Sequence, residues 1–323
     1  MKNPALAVGP CATTVADAQG LRAGLSGIPQ QACGFTLVEL VLVIALAGII
    51  VVMISTVLSR PLDGFLAQSR RGELVDQAAG AMNRLTRDVR LAVPNSLRVS
   101  ADGQAVELLL IQGAARYRAN RNDSQGLRFS PEAAGTCAST AVDGRCDTVQ
   151  VLDGAFDPTG ARWMVVYNIG AESGGNPVVG SNLWAPANPG VMTPTGSTFS
   201  LLPGAPAGES IIAVGNLPAT GFRFAYASPQ QRVYLARTVV GFRCQNGQLL
   251  RYTYNQLLST LPAAPPSGSN PEPLALNVDC GQTRFTYQAG STARAGLLSL
   301  ALHTTLDGES FQLLQQVHID NAP

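Results

Sequence analysis

The side chains that carry most enzyme chemistry are scarce in this sequence of 323 residues. Lys2 is its only lysine, so no downstream lysine is present for a P-loop, a Schiff base or a Ser-Lys dyad. Histidine occurs only as His303 and His318, which a hairpin of the last two strand patterns would bring together without a third ligand. We therefore predict a protein that is not an enzyme and that uses no cofactor.

One group of acidic residues is a candidate metal site. Its members are Asp143, Asp147, Asp153 and Asp157. Oxygen ligands from loops suit Ca²⁺, although the spacing is not that of an EF-hand. Asp-Gly pairs such as Asp143-Gly144 are also ordinary turn residues. We favour turns and keep calcium as the alternative.

Four cysteines lie downstream of residue 60 and lack the C-x-x-C spacing of a metal site. Two disulfides are the better interpretation, and four cysteines allow three pairings. We favour the two sequential pairings, Cys137–Cys146 and Cys244–Cys280. Oxidised cysteines place this part of the chain outside the cytosol.

Composition excludes a disordered chain and a nucleic-acid-binding protein. Hydrophobic residues make up 46% of the sequence and charged residues only 13%. The formal net charge of +1 offers no basic surface for a phosphate backbone or an acidic membrane. The 33 glycines and 21 prolines predict many turns and loops.

An apolar segment near the N-terminus is long enough to cross a membrane. Leu40–Ser59 contains no charged residue and would rise about 30 Å as a helix, the thickness of the hydrocarbon core. Glu39 stands at its start, where an unpaired carboxylate is costly. A plain anchor and a secretory signal cleaved near Ala45-Leu46-Ala47 are two interpretations, but the apolar run continues well past that triplet.

The third interpretation depends on the residues around Glu39. Gly34 followed by Phe35-Thr36-Leu37-Val38-Glu39 resembles the G-F-T-L-x-E signature of type IV pilins and pseudopilins. The resemblance implies cleavage after Gly34 by a prepilin peptidase and N-methylation of the new Phe35 amine. It also implies that Glu39 attracts the terminal amine of a neighbouring subunit during assembly. The leader of 34 residues is long for this family, so the start codon is in doubt.

The resemblance extends to the minor pilins of the MSHA (mannose-sensitive haemagglutinin) pilus. The matching segments are residues 92–99, 240–244 with 250–252, and 314–323. It implies a minor pilin in pilus initiation or at the tip, with other major and minor pilins and the inner-membrane assembly platform as partners. The head is expected in the periplasm of a Gram-negative bacterium and then in the pilus. A type II secretion pseudopilin and a pilus-delivered adhesin are the alternatives.

The expected fold class is α+β, with one long helix before a β-rich head. We predict a leader at 1–34, a helix at 35–93 that is membrane-embedded to about 59, and a head at 94–323. Pro61 should bend or restart the helix and Pro94 should end it. The buried helix face is expected to contain Leu62, Phe65, Leu66, Leu74, Ala78, Met82, Leu85 and Val89, and the exposed face Arg70, Arg84, Asp88 and Arg90.

Downstream of residue 97 the apolar period becomes two, which predicts strands. The predicted strands are 105–111, 148–152, 162–169, 210–214, 222–226, 232–236, 238–244, 248–254, 284–287, 297–304 and 310–318. Asn246-Gly247 and Asp307-Gly308 predict hairpin turns. Residues 184–208 and 261–273 are rich in Pro, Gly and Ser and predict long loops.

Overall fold

The computed structural model describes residues 36–118, 127–130, 145–290 and 294–319, without the side chains of residues 56 and 58–63. Contacts divide the chain into two compact units, Met1–Pro61 and Leu62–Pro323. The sequence analysis divides the chain at residue 93, where the predicted helix gives way to strands. The division by contacts lies earlier, so that the second half of the helix belongs to the same unit as the strands.

The helix α1 spans Leu37–Arg90 as one element of 54 residues. The prediction that Pro61 restarts the helix is wrong, since helical structure continues through it. A proline removes only one i to i−4 hydrogen bond, and long helical segments flank it on both sides. The helix ends at Arg90 rather than at 93. Its last turn tightens where Leu91 N–H donates to Asp88 O at 3.1 Å, and Val93 N–H then donates to Leu109 O.

The rest of the described chain is β-rich, which confirms the α+β fold class. The strands are β1 (Arg98–Val99), β2 (Ala105–Arg116), β3 (Arg128–Phe129), β4 (Thr148–Val151), β5 (Trp163–Val165), β6 (Glu172–Ser173), β7 (Asn176–Pro177), β8 (Thr198–Leu202), β9 (Ser210–Gly215), β10 (Phe222–Arg223), β11 (Arg232–Gln245), β12 (Gln248–Tyr254), β13 (Glu272–Ala275), β14 (Arg284–Gln288), β15 (Gly296–Leu306) and β16 (Glu309–Ile319).

The central sheet has the order β1-β2-β11-β12-β13, with β5 also paired to β11. Every pairing in it is antiparallel. The sequence predicts two strands where the structure has the single strand β11. The register of β11 against β2 shifts between Leu235 and Thr238, and this bulge interrupts the alternation of apolar side chains.

Two smaller sheets complete the main framework, with the orders β4-β9-β8 and β14-β15-β16. Both predicted hairpin turns are present. Asn246 and Gly247 have φ values of 52° and 73°, and Asp307 and Gly308 have 49° and 84°. Two successive residues with positive φ make the type of tight turn whose twist suits antiparallel strands.

Helix α1 packs on one face of the central sheet. Its buried residues Ala78, Met82 and Leu85 share a core with Phe242 of β11 and Leu300 of β15. The opposite face of the same sheet is buried as well, under a second core. Burial on both faces explains why many strand positions are apolar without strict alternation.

The predicted helix faces need two corrections. Phe65 and Leu66 were expected in the core but are 69% and 50% exposed. Asp88 was expected on the exposed face but is 5% exposed, because Arg251 Nε lies 2.7 Å from its carboxylate and neutralises it. A charged side chain can be buried when such a partner accompanies it.

The predicted loop at 184–208 is mostly turns and irregular chain, but it includes a strand and buried residues. It contains β8, and Trp184, Val191 and Met192 are buried in the second core. This segment covers the sheet face opposite α1. Its many prolines and glycines produce the turns of the backbone, whereas its apolar side chains pack in the second core. The other predicted loop, 261–273, extends to the start of β13.

Candidate functional site

Glu39 lies in the first turn of α1. Its backbone N–H donates to Thr36 Oγ1 at 3.3 Å, and Leu40 N–H donates to the Thr36 carbonyl at 3.1 Å. Thr36 is therefore the N-cap residue, and Thr36-Leu37-Val38-Glu39 has the spacing of a capping box. We did not predict this cap from the sequence, although its T-x-x-E spacing indicates one. A carboxylate here also interacts favourably with the helix dipole.

The helix beyond Glu39 presents its apolar side chains outward. Leu37–Ser55 has a mean hydropathy of 3.1 and is long and apolar enough to cross a membrane, and none of it is buried by protein. Within the described ranges of the chain it is the only helix of this kind. Its large side chains, such as Val41 and Ile49, are more than half exposed. A single apolar N-terminal helix of this kind fits a membrane-anchored protein.

Gly34 and Phe35, the predicted cleavage site, lie outside the described residues, as do Cys137 and Asp143. Cleavage and N-methylation therefore stay predictions. Glu39 has no hydrogen-bond or ion-pair partner for its carboxylate among the residues that the structure describes. Its acidic group is available to a partner outside this chain.

Cys244 and Cys280 form a disulfide, the pairing that the sequence favours. Cys244 is buried in β11, whereas Cys280 lies in the segment between β13 and β14. The bond therefore ties the central sheet to the chain that leads into the C-terminal sheet. Cys146 is also disulfide-bonded. Its predicted partner, Cys137, is outside the described residues.

The described aspartates of the calcium candidate each have local partners. Asp147 forms an ion pair with Arg145. Asp153 Oδ1 accepts from Ala155 N–H, and Asp157 Oδ1 accepts from Thr159 N–H, both at 2.9 Å. These i to i+2 bonds are Asx turns. No group of three or more potential metal-ligating side chains occurs among the described residues. The three described aspartates therefore act as turn and ion-pair residues, and calcium binding stays an untested alternative.

The histidines are not brought together as the sequence predicts. The hairpin β15–β16 does form, but its register pairs His303 with Gln312 and His318 with Leu297. The two histidines therefore lie six positions apart along the hairpin, a distance of about 20 Å at 3.3 Å per residue. The prediction assumed the right hairpin without counting the register.

A row of four residues crosses the central sheet on the face opposite α1. The register aligns Arg98 of β1 with Glu107 of β2, then Gly241 of β11, then Tyr252 of β12. Glu107 is fully buried and its Oε2 accepts from Arg98 Nη2 at 2.8 Å. Tyr252 Oη donates to Glu107 Oε1 at 3.0 Å. Gly241 is required between them, because a Cβ there would overlap the Tyr252 ring.

This environment raises two tyrosine pKa values. Burial raises the pKa of Tyr252 far above its ordinary value of 10.0, and the Glu107 carboxylate raises it further. The pKa of Tyr254 is raised by the same two causes. Both phenols are therefore held protonated, and Tyr252 acts as a hydrogen-bond donor to the only acid in the row. This pattern stabilises structure and does not resemble an acid–base pair.

Two arginines hold the loop that follows β12. Arg98 Nη1 donates to the carbonyls of Leu258 and Ser259 at 3.0 and 3.1 Å, and Arg243 Nη2 donates to Pro262 O at 2.6 Å. We call residues 257–262 the strap. Arg98 also stacks on Trp184, with its guanidinium carbon 3.8 Å from the ring centroid. The arginines therefore hold the strap through its backbone carbonyls, and the side chains of Leu257 and Leu258 also pack against the second core.

A cavity of about 660 Å³ opens beside the strap. The residues that line it include Arg98, Glu172, Asn176, Trp184, Ser259 and Tyr287. Its volume is in the range of small-molecule sites. Its aromatic floor is not free for a sugar, however, because Trp184 is 2% exposed and lies under Arg98. Trp163, the other tryptophan, is buried too.

Comparison with known proteins gives one match. Residues 30–55 match the profile described as "Prokaryotic N-terminal methylation motif". Searches of curated proteins and of solved structures each found no significant match. The matched segment contains the predicted cleavage site, Glu39 and the start of the apolar helix. The match supports a type IV pilin-like or pseudopilin protein, a structural class that is processed by prepilin peptidase and associates with other pilins.

Proposed function

We propose that this chain is a minor, low-abundance pilin of an MSHA-type type IV pilus, of the MshO kind, acting in pilus initiation or at the tip. The observation that carries the proposal is the methylation motif at 30–55 at the start of a fully exposed apolar helix. The large β-rich head supports a scarce subunit, because a bulky head packs poorly at every position of a filament. The resemblance of residues 92–99 and 240–244 supports the MSHA system.

In this proposal prepilin peptidase cleaves between Gly34 and Phe35, and the Phe35 amine is N-methylated. Glu39 then attracts the terminal amine of a neighbouring subunit. Burying a lone carboxylate or a lone ammonium in a membrane is costly, and pairing the two offsets that cost. Among the residues that the structure describes, the Glu39 carboxylate has no partner, which supports this role. The partners are other pilins and the inner-membrane assembly platform, with the head in the periplasm.

Processing is tested by mass spectrometry of the protein extracted from membranes. We expect a mature chain that begins at Phe35 and whose terminal amine carries one methyl group. A chain that retains residues 1–34, or a terminus at another residue, contradicts the processing step.

The role of the Glu39 charge is tested with two variants, both of which keep the backbone N–H that donates to Thr36 Oγ1. Glu39→Ala removes the whole carboxylate side chain, whereas Glu39→Gln keeps its size and polarity and removes only the charge. If the charge attracts the neighbouring amine, both variants are cleaved normally and neither assembles. Normal piliation with Glu39→Gln would show that the charge is not required.

A type II secretion pseudopilin is the second candidate, since the methylation motif is shared by both systems. The genes beside this one separate the candidates: secretin and secretion ATPase genes alone favour the pseudopilin, and MSHA-type pilin genes favour the pilus. A pilus-delivered adhesin is a third candidate, because the cavity beside the strap offers polar side chains such as Glu172 and Asn176 to a ligand, although not the covered Trp184 ring. Glycan binding by the full chain, abolished by substitution of Glu172 and Asn176, would establish it.

A further inference from the structure

The strand β16 is a long, open sheet edge. It has 11 residues, it ends the sheet β14-β15-β16, and no described strand pairs with its outer side. Its pairing with β15 runs without a register shift from Leu306↔Glu309 to Gly296↔Ile319. The paired strand is therefore free of bulges over its full length, about 36 Å at 3.3 Å per residue.

The register determines which peptide groups face outward. In a hairpin with a two-residue turn, the closing pair Leu306 and Glu309 is hydrogen-bonded, and such pairs then alternate along the strand. The peptide groups that point away from β15 belong to Ser310, Gln312, Leu314, Gln316 and His318, which are also the exposed side chains of this strand. Among these outward carbonyls, Gln316 O is the only one that accepts a side-chain bond from a described residue, from Gln315 Nε2 at 3.4 Å.

This edge lacks the features that usually block pairing with another chain. Soluble proteins guard open edges with charges, prolines, bulges or short strands. The far edge of the central sheet, β13, is short and contains Glu272 and Pro273. In contrast, the five outward residues of β16 include no Asp, Glu, Lys, Arg or Pro. Leu314, at the centre of the edge, is 60% exposed.

We propose that β16 binds an extended, uncharged strand from the head of a different pilin-like subunit, which extends the sheet by one strand. Backbone hydrogen bonds supply the affinity in this mode of binding, and side chains at alternate positions supply the specificity. The neutral outward residues fit a neutral strand, and Leu314 fits an apolar residue opposite it. The inference rests on the proposed function, because it requires neighbouring pilin-like subunits.

A second copy of this chain fits less well than a different subunit. Antiparallel pairing of β16 with itself would relate the two copies by a twofold axis perpendicular to the sheet. Helix α1 lies against a face of this sheet structure, where Leu85 shares a core with Leu300 and Val317. That axis would make the head-packed segments of the two helices, such as the turn around Leu85, antiparallel. In addition, a chain of low abundance in the proposed pilus has other subunits, rather than its own copies, as most of its neighbours.

The test uses the full chain in membranes that contain its pilin-like neighbours. Leu314→Pro removes the central outward N–H without removing a hydrogen bond to β15, so the fold is retained. We expect the amount of processed pilin-like subunits that co-purifies with the chain, which we call the recovery, to fall about tenfold or more. This fall corresponds to about 1.4 kcal/mol of binding free energy. Leu314→Thr keeps the N–H and the β propensity, and recovery should stay within about twofold of the unsubstituted chain.

A second variant and a direct measurement guard against misfolding. Leu314→Lys keeps every backbone group but places a charge on the edge, and should also abolish recovery. In the assembled protein, the amides of residues 312, 314 and 316 should exchange with solvent at least about tenfold more slowly than in the isolated chain.

The failures of the two proposals can be distinguished. If neither the unsubstituted chain nor Glu39→Ala co-purifies any pilin-like subunit, the proposed function fails, and this inference fails with it. If Glu39→Ala abolishes recovery while Leu314→Pro and Leu314→Lys leave it unchanged, only the β16 inference is overturned. Disulfide cross-linking of Leu314→Cys exclusively to a second copy of the chain would also overturn it.

Discussion

At the scale of single residues, each buried carboxylate of the head that the structure describes is paired with an arginine. Glu107 is fully buried and paired with Arg98, and Asp88 is buried and paired with Arg251. Removing one member of such a pair leaves an uncompensated charge, which costs more than the pair contributes. The two pairs fasten different faces of the central sheet, since Asp88 belongs to α1 and Glu107 faces the strap. Neither pair is visible in the sequence, because the partners are separated by the fold.

The first prediction concerns Arg98. Arg98→Leu should lower the free energy of unfolding by about 3–5 kcal/mol, because Glu107 is left buried without a partner. The double variant Arg98→Leu/Glu107→Leu should recover much of this loss. Arg71→Leu is the control, since the pair of Arg71 with Glu309 is exposed and is worth at most about 1 kcal/mol. Urea unfolding of the full chain in detergent gives all three values. A double variant no more stable than the single one contradicts the prediction.

The raised pKa of Tyr252 predicts how the free energy of unfolding changes at alkaline pH. The pKa of Tyr252 is raised in the folded protein above its ordinary value of 10.0. The folded state therefore binds the phenolic proton more tightly than the unfolded state, and its contribution is complete below pH 10. That contribution is lost as pH rises above 10, with a slope of at most about 1.4 kcal/mol per pH unit. Denaturation at pH 9 to 11.5 measures it, and Tyr252→Phe should show a shallower decline. An unchanged slope would contradict the assignment.

At the scale of elements, the sequence predicted what depends on local chemistry. The strand at 248–254 has the predicted limits, and Asn246-Gly247 makes the predicted turn, since both depend on residues close in the chain. The errors depend on distant residues. Asp88 is buried because Arg251 reaches it, and Trp184 is buried because a sheet face lies beneath it. The Glu39 segment was predictable because its function depends on a contiguous motif, whereas the open edge of β16 required the register.

The glycine at the centre of the sheet provides the element-scale prediction. Gly241→Ala should destabilise the protein by about 1–3 kcal/mol, because the added methyl group overlaps the Tyr252 ring. Gly80→Ala is the control, since it lies in α1 with nothing within 4 Å of the added Cβ. That change should stabilise the protein by up to about 1 kcal/mol. Thermal unfolding compares the two, and effects of the same sign would show that the Tyr252 packing is not responsible.

At the scale of the whole molecule, the Cys244–Cys280 disulfide connects the central sheet to the segment before the C-terminal sheet. It closes a segment that includes β12, the strap and β13. The strap is held by arginine contacts to its backbone, and the disulfide limits how far the segment can move when those contacts break. The arginine contacts and the disulfide therefore act on the same region. The contacts act through enthalpy, and the disulfide acts through chain entropy.

The last prediction separates these two devices. Cys244→Ser/Cys280→Ser should lower the free energy of unfolding by up to about 3.8 kcal/mol, the loop-entropy value for this separation. Reductant should lower the stability of the unsubstituted chain by at least as much, because it also breaks the disulfide of Cys146. In the double variant, reductant should remove only the smaller contribution of Cys146. The strap should stay resistant to limited proteolysis in the double variant and become susceptible in Arg98→Leu, since the arginine contacts to the strap carbonyls order it in the native state. Cleavage of the strap in the disulfide variant alone would show that the covalent bond, rather than Arg98, holds it.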